Sequence, residues 1–234
     1  MLTCKNIHIL GTSHISTQSI NEITQFVANT PPDIIAIELD KSRLHSLFHK
    51  KNPSFRDIKH LGIKSFTLNL IGHYIEHKLG KAVGVSPGDE MKQAVRLAKK
   101  HHLKLALIDQ PIEITLKKLS KQVTFKEKLN FLLDIIKSPF SKPLIEPFDL
   151  SKLPPKSTVK KMLSFVSSRY PSVYNILIEE RNQIMAKNLY TLSSKYKDAK
   201  ILAVVGLGHE DAIKKLLKRA NSNNHNNSSI NINF

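Results

Sequence analysis

The sequence is short of several things, and each shortage excludes something. Its 234 residues hold one cysteine, Cys4, so no disulfide forms within the chain, and the expected setting is a reducing, cytoplasmic one. No apolar run approaches the roughly 18 residues that suggest a membrane span. Met1 to Asn6 leads directly into a strand-like run, without the long apolar segment expected of a signal peptide. Aromatic residues make up 6% of the chain, which leaves little for nucleic-acid bases to stack on.

Negative charge is also scarce: 19 Asp and Glu stand against 36 Lys and Arg, a formal charge of +17. Such an excess raises the question of a polyanionic partner. The basic pairs Lys50-Lys51, Lys99-Lys100, Lys117-Lys118, Lys160-Lys161 and Lys214-Lys215 are scattered, however, and none extends into a run. The pattern describes a generally basic surface with weak attraction for anionic surfaces and no specific nucleic-acid partner.

With 41% hydrophobic and 24% charged residues, the chain resembles an average globular domain and is long enough to bury a core. Four short runs rich in Ile, Leu and Val read as buried strands: Asn6–Leu10, Asp33–Leu39, Lys104–Ile108 and Lys200–Val205. Helical periodicity marks Thr17–Asn29, Gly88–Lys100, Lys126–Lys137, Ser172–Ser194 and Glu210–Arg219. This alternation predicts an α/β fold, with a largely parallel central sheet and helices on both faces. A single domain is expected over residues 1–220, with a proline-rich connector at 138–158 inside it. Residues 221–234, rich in Asn and Ser, are expected to be a disordered tail.

The chemistry-bearing residues fall where open α/β sheets bind ligands, beyond the carboxyl ends of the strands. Strand, Gly-x-x-His and helix follow one another twice, as Gly11-Thr12-Ser13-His14 and as Gly206-Leu207-Gly208-His209. The two glycines permit tight turns and close approach to a helix N-terminus. The second strand delivers Glu38 and Asp40, and the third delivers Asp109. Two imidazoles and several carboxylates suit a divalent metal such as Zn, Mn or Co, or a metal-free centre with a histidine as base. Each residue also has a structural reading. A strand-terminal histidine can be packed, and Asp40 can simply cap the helix that follows it.

On the long helix, the apolar stripe through Val173, Ile176, Leu177, Ile184, Met185, Leu189 and Leu192 is interrupted by Glu180 and Arg181. Arg181 either ties the helix to the sheet in an ion pair or stabilises negative charge at the centre. His73-Tyr74-Ile75-Glu76-His77 matches the H-x-x-E-H metalloprotease pattern. Eleven histidines in the chain and the flanking Gly72 and Gly80 argue that this match is accidental.

Taken in order, GTSHIS, PDIIAIELDKSR, VGVSPGDEMKQAVRLAKK, LALID, ITLKK, LIEERNQIMAKNL and ILAVVGLGHE resemble the TraB/PrgY family, from about Lys5 to about Leu217. That family is similar to the Tiki proteins, which are metal-dependent proteases, and more remotely to erythromycin esterases. PrgY-like members are implicated in limiting peptide pheromone signalling. The resemblance implies a centre made of Gly11 with His14, Glu38, Arg181, and Gly206 with His209. Glu90 of the PGDEM block is a further candidate, with helix capping as its other role.

The implied function is a metal-dependent hydrolase of a peptide, amide or ester. The metal would lie on His14 and His209, with Glu38 as third ligand or as base for the attacking water, Arg181 at the oxyanion and Asp109, Glu90 and Glu180 in support. The alternative is a protein that binds a peptide or small ligand without turnover. Many bacterial members continue into transmembrane helices, so this chain is expected to correspond to their soluble domain. Two positions depart from the family pattern. Gln110 stands where an Arg is expected, and Asn182 where an acid is expected, so both remove charge from the implied centre.

Overall fold

The protein is described here by a computed structural model covering residues 2–4, 6–13, 16–49, 88–137 and 152–226. Its elements are β1 (Leu2–Cys4), β2 (Ile7–Thr12), α1 (Thr17–Asn29), β3 (Ile34–Ile37), α2 (Lys41–Phe48), α3 (Asp89–Lys100) and β4 (Lys104–Leu107). There follow α4 (Ile112–Gln122), α5 (Phe125–Lys137), α6 (Lys156–Arg169), α7 (Pro171–Tyr174), a π-helical turn (Asn175–Glu179), α8 (Glu180–Lys195), β5 (Ile201–Gly206) and α9 (Leu207–Asn226).

The five strands form one sheet in the order β1-β2-β5-β3-β4. β2, β5, β3 and β4 are mutually parallel, and β1 adds an antiparallel edge. The α/β class and the largely parallel sheet match the expectation from sequence. The last strand enters the middle of the sheet, between β2 and β3. β3 and β5 are buried along their whole length, which is why their sequences are continuously apolar and not alternating.

The strands' period of two divides their side chains between two cores. Ile7, Ile9, Ile34, Ala36, Ile201, Ala203 and Val205 pack with Met185, Ala186 and Leu189 of α8 and with Ile213 and Leu217 of α9. Leu10, Ile35, Ile37, Leu202 and Val204 pack on the opposite face with Ile23, Phe26 and Val27 of α1 and Met91, Ala94 and Leu97 of α3. Gly88 has φ of 83°, a left-handed conformation, and a Cβ there would lie 2.7 Å from Leu47 Cδ1. That requirement accounts for the glycine of the PGDEM block.

Several features differ from the reading by periodicity. β1 is too short to register as a pattern. α6 begins at Lys156, inside the expected connector, because Pro155 at its N-cap supplies a helix start as readily as a break. α6 buries none of its residues, so it carries little amphipathic signal. α9 continues to Asn226, past the expected start of the tail at 221, as helix propagates from the anchored turns that carry Ile213 and Leu217. Residues 138–151 of the connector and 227–234 of the tail lie outside the described residues, as do His14 and the motif from His73 to His77. Among the described residues, no helix is long and apolar enough to cross a membrane.

Candidate functional site

β2 and β5 are neighbours in register, with Gly11 opposite Val205 and Thr12 opposite Gly206. The two Gly-x-x-His motifs, almost two hundred residues apart in sequence, therefore start side by side at the carboxyl edge of the sheet. Gly11 is buried against α9. A Cβ there would lie 2.7 Å from Glu210 Oε2 and 3.0 Å from Leu207 Cδ2, so any larger residue would have to displace these side chains. At the second motif, strand passes directly into helix: β5 ends on Gly206 and α9 begins at Leu207, which puts His209 in the first turn of α9.

Glu38 follows Ile37 and shares the strand parity of Ile34 and Ala36, so it faces α8 and α9. It is 4% exposed. Oε2 accepts a hydrogen bond from the Gly206 backbone N–H at 2.6 Å, and Oε1 accepts from Arg181 Nη2. Arg181, in the first turn of α8, also donates from Nη2 to Asp109 Oδ2 at 2.6 Å and from Nε to the same carboxylate at 3.1 and 3.3 Å. Its Nη1 donates to the Leu177 carbonyl, inside the π-helical turn, at 3.2 Å. Burial alone would lower the Arg181 pKa. The charge of Glu38 and the hydrogen bonds and charge of Asp109 outweigh burial, so the pKa is raised and the guanidinium stays charged.

Asp109 holds a second guanidinium, that of Arg43 on α2, whose Nη2 donates to Oδ2. Arg43 in turn donates from Nε to Asp40 at 2.7 Å. Asp40 also caps α2, accepting from the amides of Ser42 at 2.7 Å and Arg43 at 3.1 Å. Three carboxylates and two guanidiniums thus form one chain of ion pairs across the ends of β3 and β4, with one negative charge in excess.

His209 is 5% exposed and completes the centre. Its Nδ1 lies 2.7 Å from Asn182 Oδ1. Its Nε2 lies 3.4 Å from Arg181 Nη1 and 3.4 Å from Glu38 Oε1. Asn182 Oδ1 accepts, so the ring donates to it from Nδ1–H, while Nε2 lies between the donor Arg181 and the acceptor Glu38. Asn182 is fully buried on the stripe with Met185, Ala186 and Leu189. Its Nδ2 is without a hydrogen-bond partner.

Glu38, Asp109, Arg181 and His209 are therefore brought together. Two other candidates have different surroundings. Glu180 turns to Lys118 Nζ at 2.6 Å and to Asn175, joining α8 to α4. Glu90 is buried in the first turn of α3, beside Asp89, where acidic residues favour the helix start. At the two departures from the expected pattern, Gln110 donates to Thr115 Oγ1 at 2.9 Å while Arg43 supplies a guanidinium to Asp109, and Asn182 Oδ1 accepts a hydrogen bond from His209 Nδ1.

Arg43 was not singled out by sequence reasoning. The available signal was Asp40-x-x-Arg43 at a helix start, in a chain with only six arginines. Asn182 registered only as a lost charge, because a buried amide facing a histidine leaves no mark on periodicity. Among the described residues, no group of three or more His, Cys, Asp or Glu is poised to hold a metal. His209 Nε2 and Glu38 Oε1 supply two donors.

A model of the TraB/PrgY/gumN family matches residues 3–225. An uncharacterised protein of Methanocaldococcus jannaschii is 35% identical over 222 residues, which are 94% of this chain and 55% of that protein. TraB domain-containing proteins of Mus musculus and Homo sapiens are each 22% identical over 237 residues, covering 89% of this chain and 62% of theirs. The chain spans little more than half the length of these curated relatives.

Proposed function

The chain belongs to the TraB/PrgY/gumN family, and on that premise we propose that its carboxyl-edge centre is that of a metal-dependent hydrolase acting on a peptide or a related amide or ester. The observation that carries the reading is the setting of His209. One ring nitrogen is fixed by a buried carbonyl-type acceptor, and the other lies 3.4 Å from an oxygen of a buried carboxylate. Metal-binding histidines have this arrangement, in which the outer hydrogen bond fixes tautomer and ring orientation.

The donor chemistry fits a divalent ion such as Zn, Mn or Co. The 3.4 Å from Nε2 to Oε1 matches the spacing of about 3.4 Å between donors of a tetrahedral site with bonds of about 2.1 Å. The excess negative charge of the ion-pair chain favours a cation. His209 and Glu38 would hold the ion, with His14 as the third ligand. A bound divalent metal would polarise the scissile carbonyl and bring the pKa of an attacking water toward neutrality. The chain's own residues do the rest. Asn182 orients the His209 ring through Nδ1, Gly206 and Arg181 fix the two oxygens of Glu38, and Asp109 holds Arg181 in place. If the histidines hold the ion without it, Glu38 would instead be the base that takes a proton from water.

The test is metal content by elemental analysis and affinity by calorimetry for Zn, Mn and Co, followed by a peptide and ester screen. We expect about one equivalent bound by the wild type, loss in His209→Ala, and affinity weaker by about 10–100-fold in Asn182→Ala. No binding of any of the three metals, or unchanged binding in His209→Ala, would overturn the metal-dependent reading. One observation favours a second reading, a protein that binds a peptide without turnover. All three nitrogens of Arg181 already bond protein acceptors, so its charge is committed to Glu38 and Asp109. Saturable peptide binding with no product would select that reading.

A further inference from the structure

α5 is amphipathic in the reverse sense for a helix on a protein surface. Its polar residues Glu127, Asn130 and Asp134, spaced three and four apart, face the rest of the molecule. Glu127 closes a capping box with Thr124 and accepts from the Ser172 amide at 2.7 Å, in the first turn of α7. Asn130 Nδ2 donates to the Arg169 carbonyl at 3.4 Å. Asp134 takes two hydrogen bonds from Arg169, at 2.7 and 3.0 Å, and one from Tyr170 Oη at 2.5 Å.

The opposite face, at positions i, i+4, i+7 and i+8, carries Phe125, Leu129, Leu132 and Leu133, which are 81%, 45%, 53% and 37% exposed. Exposed Lys126 and Lys128 flank this stripe on either side. Polar contacts with Arg169, Tyr170 and Ser172 fix which way the helix faces, so the apolar stripe is directed outward.

We propose that this stripe is a docking surface for an anionic lipid bilayer, in which α5 lies in the plane of the interface. Charge selects this occupant. Residues 112–137 and 152–170 carry eleven Lys and Arg against three acidic residues. Of the acids, Glu127 is buried in its cap and Asp134 is paired with Arg169, and of the cations Lys118, Lys156 and Arg169 are in ion pairs; the other charged residues of these segments are eight lysines and Glu113. An apolar face rimmed by lysines on a strongly basic body is the pattern that binds anionic headgroups and inserts shallowly. A second copy of the chain is disfavoured, since the same lysines and a +17 charge would meet their like. The surface lies on α5, uses none of the residues of the candidate centre, and is independent of the hydrolase reading.

The experiment is co-sedimentation of the full chain with vesicles of phosphatidylcholine alone and with about one-third phosphatidylglycerol. The wild type should bind the anionic vesicles, and binding should fall steeply with salt. The exposed-face variant Phe125→Ser/Leu132→Gln should bind about tenfold more weakly or less, with an unchanged thermal melt. Lys126→Gln/Lys128→Gln should weaken anionic binding and increase the share that survives salt. No partition onto anionic vesicles would overturn the proposal. So would equal binding by Phe125→Ser/Leu132→Gln, or a wild-type dimer in sedimentation equilibrium that this variant converts to monomer.

Discussion

Replacing Arg181 by methionine keeps a flexible, unbranched side chain but removes the guanidinium, and with it the charge that joins β3, β4 and α8. Glu38, 4% exposed, and Asp109, 7% exposed, would then be buried carboxylates without their shared partner. Breaking a buried ion pair from one side costs about 3–5 kcal/mol, most of it the penalty on the charge left behind. Here the lower end applies, because the Gly206 amide still holds Glu38 and Arg43 still holds Asp109. A loss of about 3 kcal/mol is a large part of the 5–15 kcal/mol by which a domain is usually stable. The companion variant Arg181→Met/Glu38→Gln removes both members of one pair. It should regain about 1–2 kcal/mol relative to the sum of the single losses. The assay is urea unfolding at neutral pH followed by far-ultraviolet circular dichroism, since the sequence has no tryptophan to report by fluorescence. A single-variant loss under about 1 kcal/mol, or strict additivity in the double variant, would refute the reasoning.

Two further outcomes follow from the same geometry. Burial alone would raise the Glu127 pKa, but hydrogen bonds from Thr124 and Ser172 outweigh it and hold the carboxyl below its ordinary value. Its contribution is therefore complete above the ordinary carboxylate range and is lost as pH falls through the depressed value. Glu127→Gln should cost about 1–2 kcal/mol at neutral pH and flatten the acid side of the stability profile, as measured by denaturant midpoints across pH. Gly11→Ala drives a Cβ onto Glu210 Oε2 and Leu207 Cδ2 and should cost about 1–3 kcal/mol. If its thermal midpoint matches the wild type, the close packing of β2 on α9 is not what requires this glycine.

The sequence determined the α/β class, the four parallel strands and the identity of most of the charged centre, because these are written in local patterns. Buried parallel strands must be continuously apolar, so the ionisable residue that ends each run stands out. Arg181 was legible for the same reason, as a charge interrupting an apolar stripe. The tertiary structure alone decided what these residues do to one another. Strand order is a long-range property, and the insertion of β5 between β2 and β3 brings Glu38 within reach of Gly206 and His209. Arg43 and Asn182 joined the centre only through contacts with residues far along the chain, 66 positions away at Asp109 and 27 at His209. The outward face of α5 was decided in the same way. Its periodicity marked a helix without saying which face packs, and the polar partners of Glu127 and Asp134 turned the apolar stripe away from the protein. Periodicity says which residues share a face, and only the competition among distant partners settles which face is buried.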